Sequence, residues 1–480
     1  MLNTHDVIAN SGITFGTSGA RGLVTDFTQD VCAAFTVSFI ETMRLSFEFT
    51  TIAIAIDNRP SSEAMAKACA TAAEQMGTQV VYYGVIPTPA LAFQAMELNI
   101  PSIMVTGSHI PFDRNGLKFY RPDGEITKQD EQSIINGQFS FSSLTHLAAL
   151  PTDSSAEEAY IARYVSLFDT SWLKGKRIGI YQHSSAGRDI YPTIFEQLGA
   201  DVILIGRSDT FVPIDTEAVS DEDCQRAIDW THKYQLDALF STDGDGDRPM
   251  LADEKGHWLC GDILGLLAAK ALNISALSVP VSCNSAIELS NYFDFVFRTK
   301  IGSPYVIEGF STLNDVYSSF AGFEANGGFL LGSDIEVNGK KLAALPTRDA
   351  VLPVLMVLFN ARNSSVVDLL QALPSRHTHS NRLTEFANDK SRKIISFGNS
   401  QPKKLLQKLK LEADSLVNIN TVDGLRCTLA NNTIIHLRPS GNAPEFRCYI
   451  ESDSKQKAIE LNEFVLTQLS SLDMMELNNA

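Results

Sequence analysis

The chain has 480 residues, a formal net charge of -17, 44% hydrophobic residues and 20% charged residues. That is the composition of a globular protein long enough for three or four domains. Its acidity excludes a general nucleic-acid or anionic-membrane surface, because both would repel it. No run approaches the roughly 20 apolar residues of a membrane span. Residues 1–6 lack the basic and apolar regions of a signal peptide, and the seven cysteines are scattered without a CxxC pair. A reducing cytoplasm is therefore expected, with neither a disulfide framework nor a zinc site.

Phe15-Gly16-Thr17-Ser18-Gly19-Ala20-Arg21-Gly22 comes first, a Gly/Ser/Thr loop with one arginine. Such loops can cradle phosphate with backbone N–H groups, although many ordinary turns look the same. An apolar β-branched run at Thr51–Ile56 follows, then a helical stretch at 62–76 and a strand at 79–84. After the apolar run 103–105 stands Thr106-Gly107-Ser108-His109-Ile110-Pro111. A serine on such a turn is accessible, and His109 and Lys118 are the nearby groups that could activate it. The spacing is not that of the hydrolase G-x-S-x-G elbow, and a capped structural turn is the alternative. The polar stretch 151–155 reads as a linker.

The strand–turn–helix–strand pattern recurs at residues 177–206 and 277–298. Three copies predict three related α/β domains. Between the second and third copies, a strand at 236–241 leads into Asp243-Gly244-Asp245-Gly246-Asp247-Arg248. Two like charges about 4 Å apart repel by about 4 kcal/mol at an effective dielectric of about 20. Three such acids, brought together by flexible glycines, suit a hard cation such as Mg²⁺ or Ca²⁺. The EF-hand is excluded, since Arg248 stands where that loop needs glycine and the flanks are strand-like. A solvated acidic turn is the remaining alternative. Arg248, directly behind the acids, instead looks placed to hold an anion.

Further on, Gly322-Phe323-Glu324-Ala325-Asn326-Gly327-Gly328-Phe329 forms a glycine-rich loop whose Glu324 and Asn326 could meet adjacent hydroxyls of a polyol. From about residue 374 the pattern changes to a small α+β domain. A helix is predicted at 403–411, strands at Leu425–Leu429 and 433–437 around the turn Asn431-Asn432, and a helix at 455–472. Arg438-Pro439-Ser440-Gly441-Asn442, with Arg447, gathers the guanidinium, hydroxyl and amide donors that a phosphate dianion wants. A solvated turn with two arginines is the alternative there.

In this order these segments resemble the α-D-phosphohexomutase family of phosphomannomutases, phosphoglucomutases and phosphoglucosamine mutases, over nearly the whole chain. The resemblance implies three α/β domains and a smaller α+β fourth domain around a central cleft, with boundaries expected at 1–150, 151–258, 259–373 and 374–480. It implies that Ser108 is a phosphoserine and that Asp243, Asp245 and Asp247 hold one Mg²⁺ together with the Ser108 phosphate. Arg21, His109, Lys118 and Arg248 would surround the transferred phosphoryl group. Lys300 and Gly302 would form the third-domain ligand loop, and Glu324 and Asn326 would read the sugar. Arg438, Ser440, Gly441, Asn442 and Arg447 would hold the other phosphate. The implied ligands are hexose phosphates, with a hexose 1,6-bisphosphate as intermediate and activator.

The chain departs from the family pattern at Ile110, usually Asn, and in the sugar loop, usually G-E-x-S-G-H. There Phe323, Asn326 and Gly328 replace Gly, Ser and His. In the phosphate loop, usually S-G-T-E-P, Asn442 and Ala443 replace Thr and Glu. Loss of the loop histidine leaves His109 or Lys118 as the acid/base. The Glu324-to-Gly328 variant is similar to that of some bacterial phosphomannomutases, which implies mannose phosphates feeding GDP-mannose and polysaccharide synthesis. A phosphoglucomutase or dual-specificity enzyme is the alternative. A non-catalytic sugar-phosphate binder and a Ser108 phosphatase are the other readings. The intact Ser108 and acidic triad argue against the first, and the separate phosphate clamp argues against the second.

Overall fold

Three of the apolar β-branched runs each become the inner strand of a sheet, and the three sheets share one wiring. In the first, Thr51–Ile56 lies parallel to both Gln79–Val85 and Ser102–Val105, and the latter turns back antiparallel into Arg114–Arg121. In the second, Arg177–Tyr181 lies parallel to Asp201–Ile205 and Ala238–Thr242, which returns as Pro249–Ala252. In the third, Ala276–Pro280 lies parallel to Phe295–Thr299 and Phe320–Phe323, which returns as Phe329–Leu331. The first sheet is extended by Gly19–Leu23 and Thr14–Gly16, the third by Leu345–Asp349. This computed structural model describes residues 1–16, 19–147, 149–440 and 444–472.

The shared wiring has a direct consequence for chemistry. The serine loop, the acidic loop and the sugar loop are all the same connection, the one joining the third strand to its antiparallel return. All three therefore project from equivalent sheet ends, as loops at strand termini on a rigid scaffold do.

One apolar core serves all three sheets. It includes Ala53 and Tyr83, then Tyr160, Phe195 and Phe240, and then Leu267, Phe323 and Leu355, all buried. Each fully buried Leu or Phe among them stabilises by about 2 kcal/mol, so the three units share a main source of stability. A second core lies under the helix Gln29–Arg44, with Phe35, Phe39 and Phe119. Polar contacts tie the units further. Asp349 accepts from the Tyr160 and Tyr164 hydroxyls at 2.6 and 2.5 Å. Glu125 accepts from Ser303 and Thr347, each at 2.9 Å.

The fourth of the larger sheets is antiparallel, with His377–Leu383, Phe446–Ser452, Ile434–Pro439, Leu425–Leu429 and Leu416–Asn420 in that spatial order. Its alternate residues Leu437, Phe446, Cys448 and Ile450 pack against helices Asn388–Ser400, Pro402–Lys408 and Lys455–Ser470. The opposite face carries the registered pairs Arg438–Arg447 and His436–Tyr449. Glu451 joins this sheet to the third unit by accepting from the Ser285 N–H at 3.0 Å, and Arg376 Nε of its own unit holds it at 2.6 Å. No helix among the described residues is long and apolar enough to cross a membrane.

Several sequence expectations change. The stretch 403–411 is the shorter helix Pro402–Lys408, and a longer helix, Asn388–Ser400, precedes it. That helix escaped notice because only a few of its positions are apolar, Ile394, Ile395 and Phe397 among them. The expected third-unit helix after Ser285 is a single turn, Ala286–Leu289. The stretch 151–155 is not a free linker: the Asp153 N–H donates to the Tyr82 carbonyl at 2.8 Å, and Ser155 begins the helix Ser155–Val165.

Candidate active site

Ser108 sits in left-handed backbone, at φ 56°, which costs a non-glycine residue energy and persists only where surroundings impose it. Arg59 imposes it. Its guanidinium donates to the carbonyls of Ser108 at 2.7 Å and Ile110 at 2.6 Å. It also reaches those of Pro111 at 2.8 Å and Arg114 at 3.0 Å. Asp57 holds Arg59 Nε at 3.0 Å and accepts from Thr106 at 2.7 Å, while Thr106 Oγ1 takes the Ser108 N–H at 2.8 Å. Sequence reasoning missed Arg59. The available signal was the polar run Asp57-Asn58-Arg59-Pro60 directly after the first inner strand.

The Ser108 hydroxyl donates to Asp243 Oδ2 at 2.8 Å, which joins the serine loop to the acidic loop. Asp243, Asp245 and Asp247 are all buried, and each offers a carboxylate oxygen within 4.8 Å of the others. Oxygens Oδ1 of Asp245 and Asp247 take no hydrogen bond from any described residue. Burial, then the neighbouring Asp245 and Asp247, push the Asp243 carboxyl well above its ordinary range. Burial acts the same way on Asp245, but Lys118 and Thr88 outweigh it and hold that carboxyl far below the usual range. Three converging carboxylates with orphaned buried oxygens are what a hard divalent cation needs. The residues present thus fit Mg²⁺.

The expected cations surround this group. Lys118 Nζ donates to Asp245 at 2.5 Å and Asp247 at 2.8 Å. Arg248 Nε lies 3.8 Å from Asp243 and 3.6 Å from Asp247, and its Nη1 donates to His109 Nδ1 at 3.1 Å. Burial and then Arg248 push His109 down to about 4, so its ring is a neutral acceptor at neutral pH. The Ser108 oxygen stands 3.5 Å from the same His109 Nδ1. Arg21, on the strand Gly19–Leu23, is pushed down to about 10 by burial and by Arg248. Ser108, His109, Lys118, Arg21, Arg248 and the triad therefore form one cluster.

The sugar loop borders it. Glu324 is buried and accepts from Arg348 Nε at 2.6 Å, and Arg348 Nη1 reaches Asp247 Oδ2 at 3.4 Å. Asn326 uses its side-chain oxygen within the loop, accepting the Gly328 N–H at 3.0 Å, and its backbone carbonyl accepts from Thr216 at 2.7 Å. The side-chain oxygen therefore shapes the loop instead of facing a ligand. The absence of a side chain at Gly328 also has a cause, since a Cβ there would lie 2.5 Å from Arg348 Cδ.

A second group lies on the antiparallel sheet. Arg438 Nε pairs with Asp423 Oδ1 at 2.8 Å, and the Ile301 N–H donates to Asp423 Oδ2 at 3.0 Å. Asp423 thus links the Lys300-to-Gly302 loop to the phosphate loop. Ser440 is buried, and Arg447 pairs with Glu445 at 3.4 Å. Gly441 and Asn442 lie outside the described residues, as do Thr17 and Ser18 of the first loop. Lys300 itself is not in the reacting cluster; it is exposed, with its ammonium 5.4 Å from the Tyr305 ring centre. The sheet face carrying His436 and Tyr449 looks onto a cavity of about 430 Å³, also walled by Glu217, Ala325 and Cys283.

Known proteins match this arrangement. Residues 12–143 match the model of phosphoglucomutase/phosphomannomutase alpha/beta/alpha domain I, and residues 158–256 that of domain II. A phosphomannomutase of Salmonella muenchen is 58% identical over 98% of both chains. A phosphomannomutase of Sinorhizobium fredii is 40% identical, covering 96% of this chain and 99% of that one. The crystal structure of a phosphoglucomutase/phosphomannomutase family protein from Burkholderia thailandensis superimposes with a TM-score of 0.74 at 19% identity, covering 98% of each chain. Near-complete coverage at such identity, on a fold with this serine and acidic cluster, leaves one conclusion: the chain is an enzyme of the phosphoglucomutase/phosphomannomutase family, a phosphohexomutase.

Proposed function

We propose that the chain is a phosphomannomutase, interconverting mannose 6-phosphate and mannose 1-phosphate through a phosphorylated Ser108 and a hexose 1,6-bisphosphate. The single observation that carries this is the Ser108 hydroxyl, held in left-handed backbone and hydrogen-bonded to Asp243 at 2.8 Å within the acidic triad. The name of the relative 58% identical over its whole length supports mannose over glucose. The product would feed GDP-mannose and polysaccharide synthesis, in a reducing cytoplasm that suits seven free cysteines. The repeated wiring and the separate fourth sheet support units at 1–150, 151–258, 259–373 and 374–480.

Asp243, Asp245 and Asp247, with a phosphate on Ser108, would hold one Mg²⁺, which supplies charge neutralisation on the phosphoryl oxygens. Arg248 and Arg21 offer donors to those oxygens as the group leaves Ser108 for a sugar hydroxyl. Lys118, at 2.5 and 2.8 Å from two carboxylates, is held protonated. It can give a proton to the serine oxygen as the phosphoryl departs. The attacking hydroxyl must give up its proton, and His109 can take it once Arg248 turns from the His109 Nδ1 to the phosphoryl oxygens. Glu324 would orient the sugar. Arg438, Ser440, Asn442 and Arg447 would hold the non-reacting phosphate, so either end of the bisphosphate can face Ser108.

The test is turnover of mannose 1-phosphate and glucose 1-phosphate in a coupled assay with Mg²⁺, with and without the matching 1,6-bisphosphate. Priming by bisphosphate, a higher kcat/KM for mannose and loss of turnover in Ser108→Ala are expected. A clear glucose preference would overturn the sugar assignment, and an active Ser108→Ala enzyme would overturn the phosphoserine.

A further inference from the structure

Arg348 joins two sites that lie on different sheets. It stands at the end of the strand Leu345–Asp349, and its two neighbours are fixed from opposite directions. Thr347 donates to Glu125 at 2.9 Å, and Asp349 holds the hydroxyls of Tyr160 and Tyr164 at 2.6 and 2.5 Å. The backbone that carries Arg348 is therefore held by the first unit and by the helix Ser155–Val165 together. From that base the side chain runs through the space left by Gly328, where a Cβ would meet Arg348 Cδ at 2.5 Å and Cγ at 2.8 Å. It ends with Nε on Glu324 Oε1 at 2.6 Å and Nη1 on Asp247 Oδ2 at 3.4 Å. All three side chains are at most 6% exposed.

We propose that Arg348 is a positioning residue for substrate recognition: it fixes one oxygen of Glu324 so that the other is presented to a hexose hydroxyl, and it locks the sugar loop to the acidic loop. The assignment rests on the proposed hexose-phosphate function. A planar guanidinium can meet two carboxylates at fixed angles, whereas an ammonium is a point charge that cannot hold both in register. A buried carboxylate without its partner would turn toward other donors, so the sugar-facing geometry depends on Arg348. The glycine at 328 and the arginine at 348 are one unit, since any side chain at 328 displaces the guanidinium.

Two measurements test this on the full-length enzyme. Arg348→Lys keeps the charge, and it should raise KM for hexose 1-phosphate roughly tenfold or more, as loss of a charge-assisted hydrogen bond does, with kcat less affected and the melting temperature near that of the parent. Gly328→Ala should lower the melting temperature in the parent but much less in Arg348→Ala, because the clash is then gone. A parental KM in Arg348→Lys would overturn the positioning role. An equal melting loss from Gly328→Ala on both backgrounds would overturn the shared volume. The melting cycle uses no substrate, so it stands even if the parent turned over neither sugar phosphate, a result that would sink the proposed function instead.

Discussion

Arg59→Ala should loosen the serine loop far more than any surface substitution. Arg59 and Asp57 have fully buried side chains 3.0 Å apart. Removing one member of such a buried pair costs about 3–5 kcal/mol, because the other charge is left unpaired. The four carbonyls that Arg59 serves lose their donor as well, among them the carbonyl of Ser108. At about 1.4 kcal/mol per factor of ten, local opening should rise roughly a hundredfold to several thousandfold. Hydrogen exchange in the full chain reads this directly through the Thr106 amide, which donates to the Gly116 carbonyl at 3.0 Å, and the Ser108 amide, bonded to Thr106 Oγ1. Arg59→Lys retains the pairing with Asp57 but cannot fork across four carbonyls, so it should fall between parent and alanine variant. The phosphoryl-transfer rate should fall in the same order. Parental exchange at both amides in Arg59→Ala would refute the argument that Arg59 imposes the Ser108 backbone.

Three further outcomes are expected. Gly261→Ala places a Cβ 2.3 Å from the Gly327 nitrogen and 2.5 Å from the Ala325 carbonyl; forced repacking costs about 1–3 kcal/mol, and both melting temperature and KM should change. Buried His183 and His436 are pushed from 6.5 down to about 4 by burial. Between pH 6.5 and 4 the unfolded chain thus binds protons that the folded chain refuses, so stability falls on acidification by about 3 kcal/mol per histidine. Asp262, pushed up to about 6 by burial, keeps a proton when folded and offsets part of this below pH 6. His436→Asn should flatten the melting temperature's dependence on pH, and an unchanged slope would contradict the sign. Mg²⁺ added to chelator-treated enzyme should raise the melting temperature by mass action, and Asp245→Asn should abolish that rise.

How much was legible in the sequence follows from the distance between partners along the chain. The acidic loop and the serine turn could be read because each carries its chemistry within a few consecutive residues, and the repeated strand–helix pattern announced the three sheets. Arg59, 49 residues from the serine it clamps, carried no local sign of that role. Arg348, 101 residues from Asp247, stands in a stretch that carries no motif. Asp423 gave no hint of binding both the Ile301 amide and Arg438. Glu324 and Asn326 stand two apart in one loop, and each spends one side-chain oxygen within the protein, on Arg348 and on the Gly328 N–H. A two-residue spacing does not say which side chain the loop itself will consume.

The Tyr160–Tyr164–Asp349 contact also bears on how the chain is made. The donors leave the ribosome 189 and 185 residues before the carboxylate they bind. At about 5–20 residues per second, that gap lasts roughly 10–40 s. During it the Tyr160 and Tyr164 hydroxyls lack the Asp349 carboxylate, and the shared core lacks Leu352 and Leu355. The shared core therefore stays incomplete until the third unit has been synthesised, and this is the interval in which a chaperone would find it.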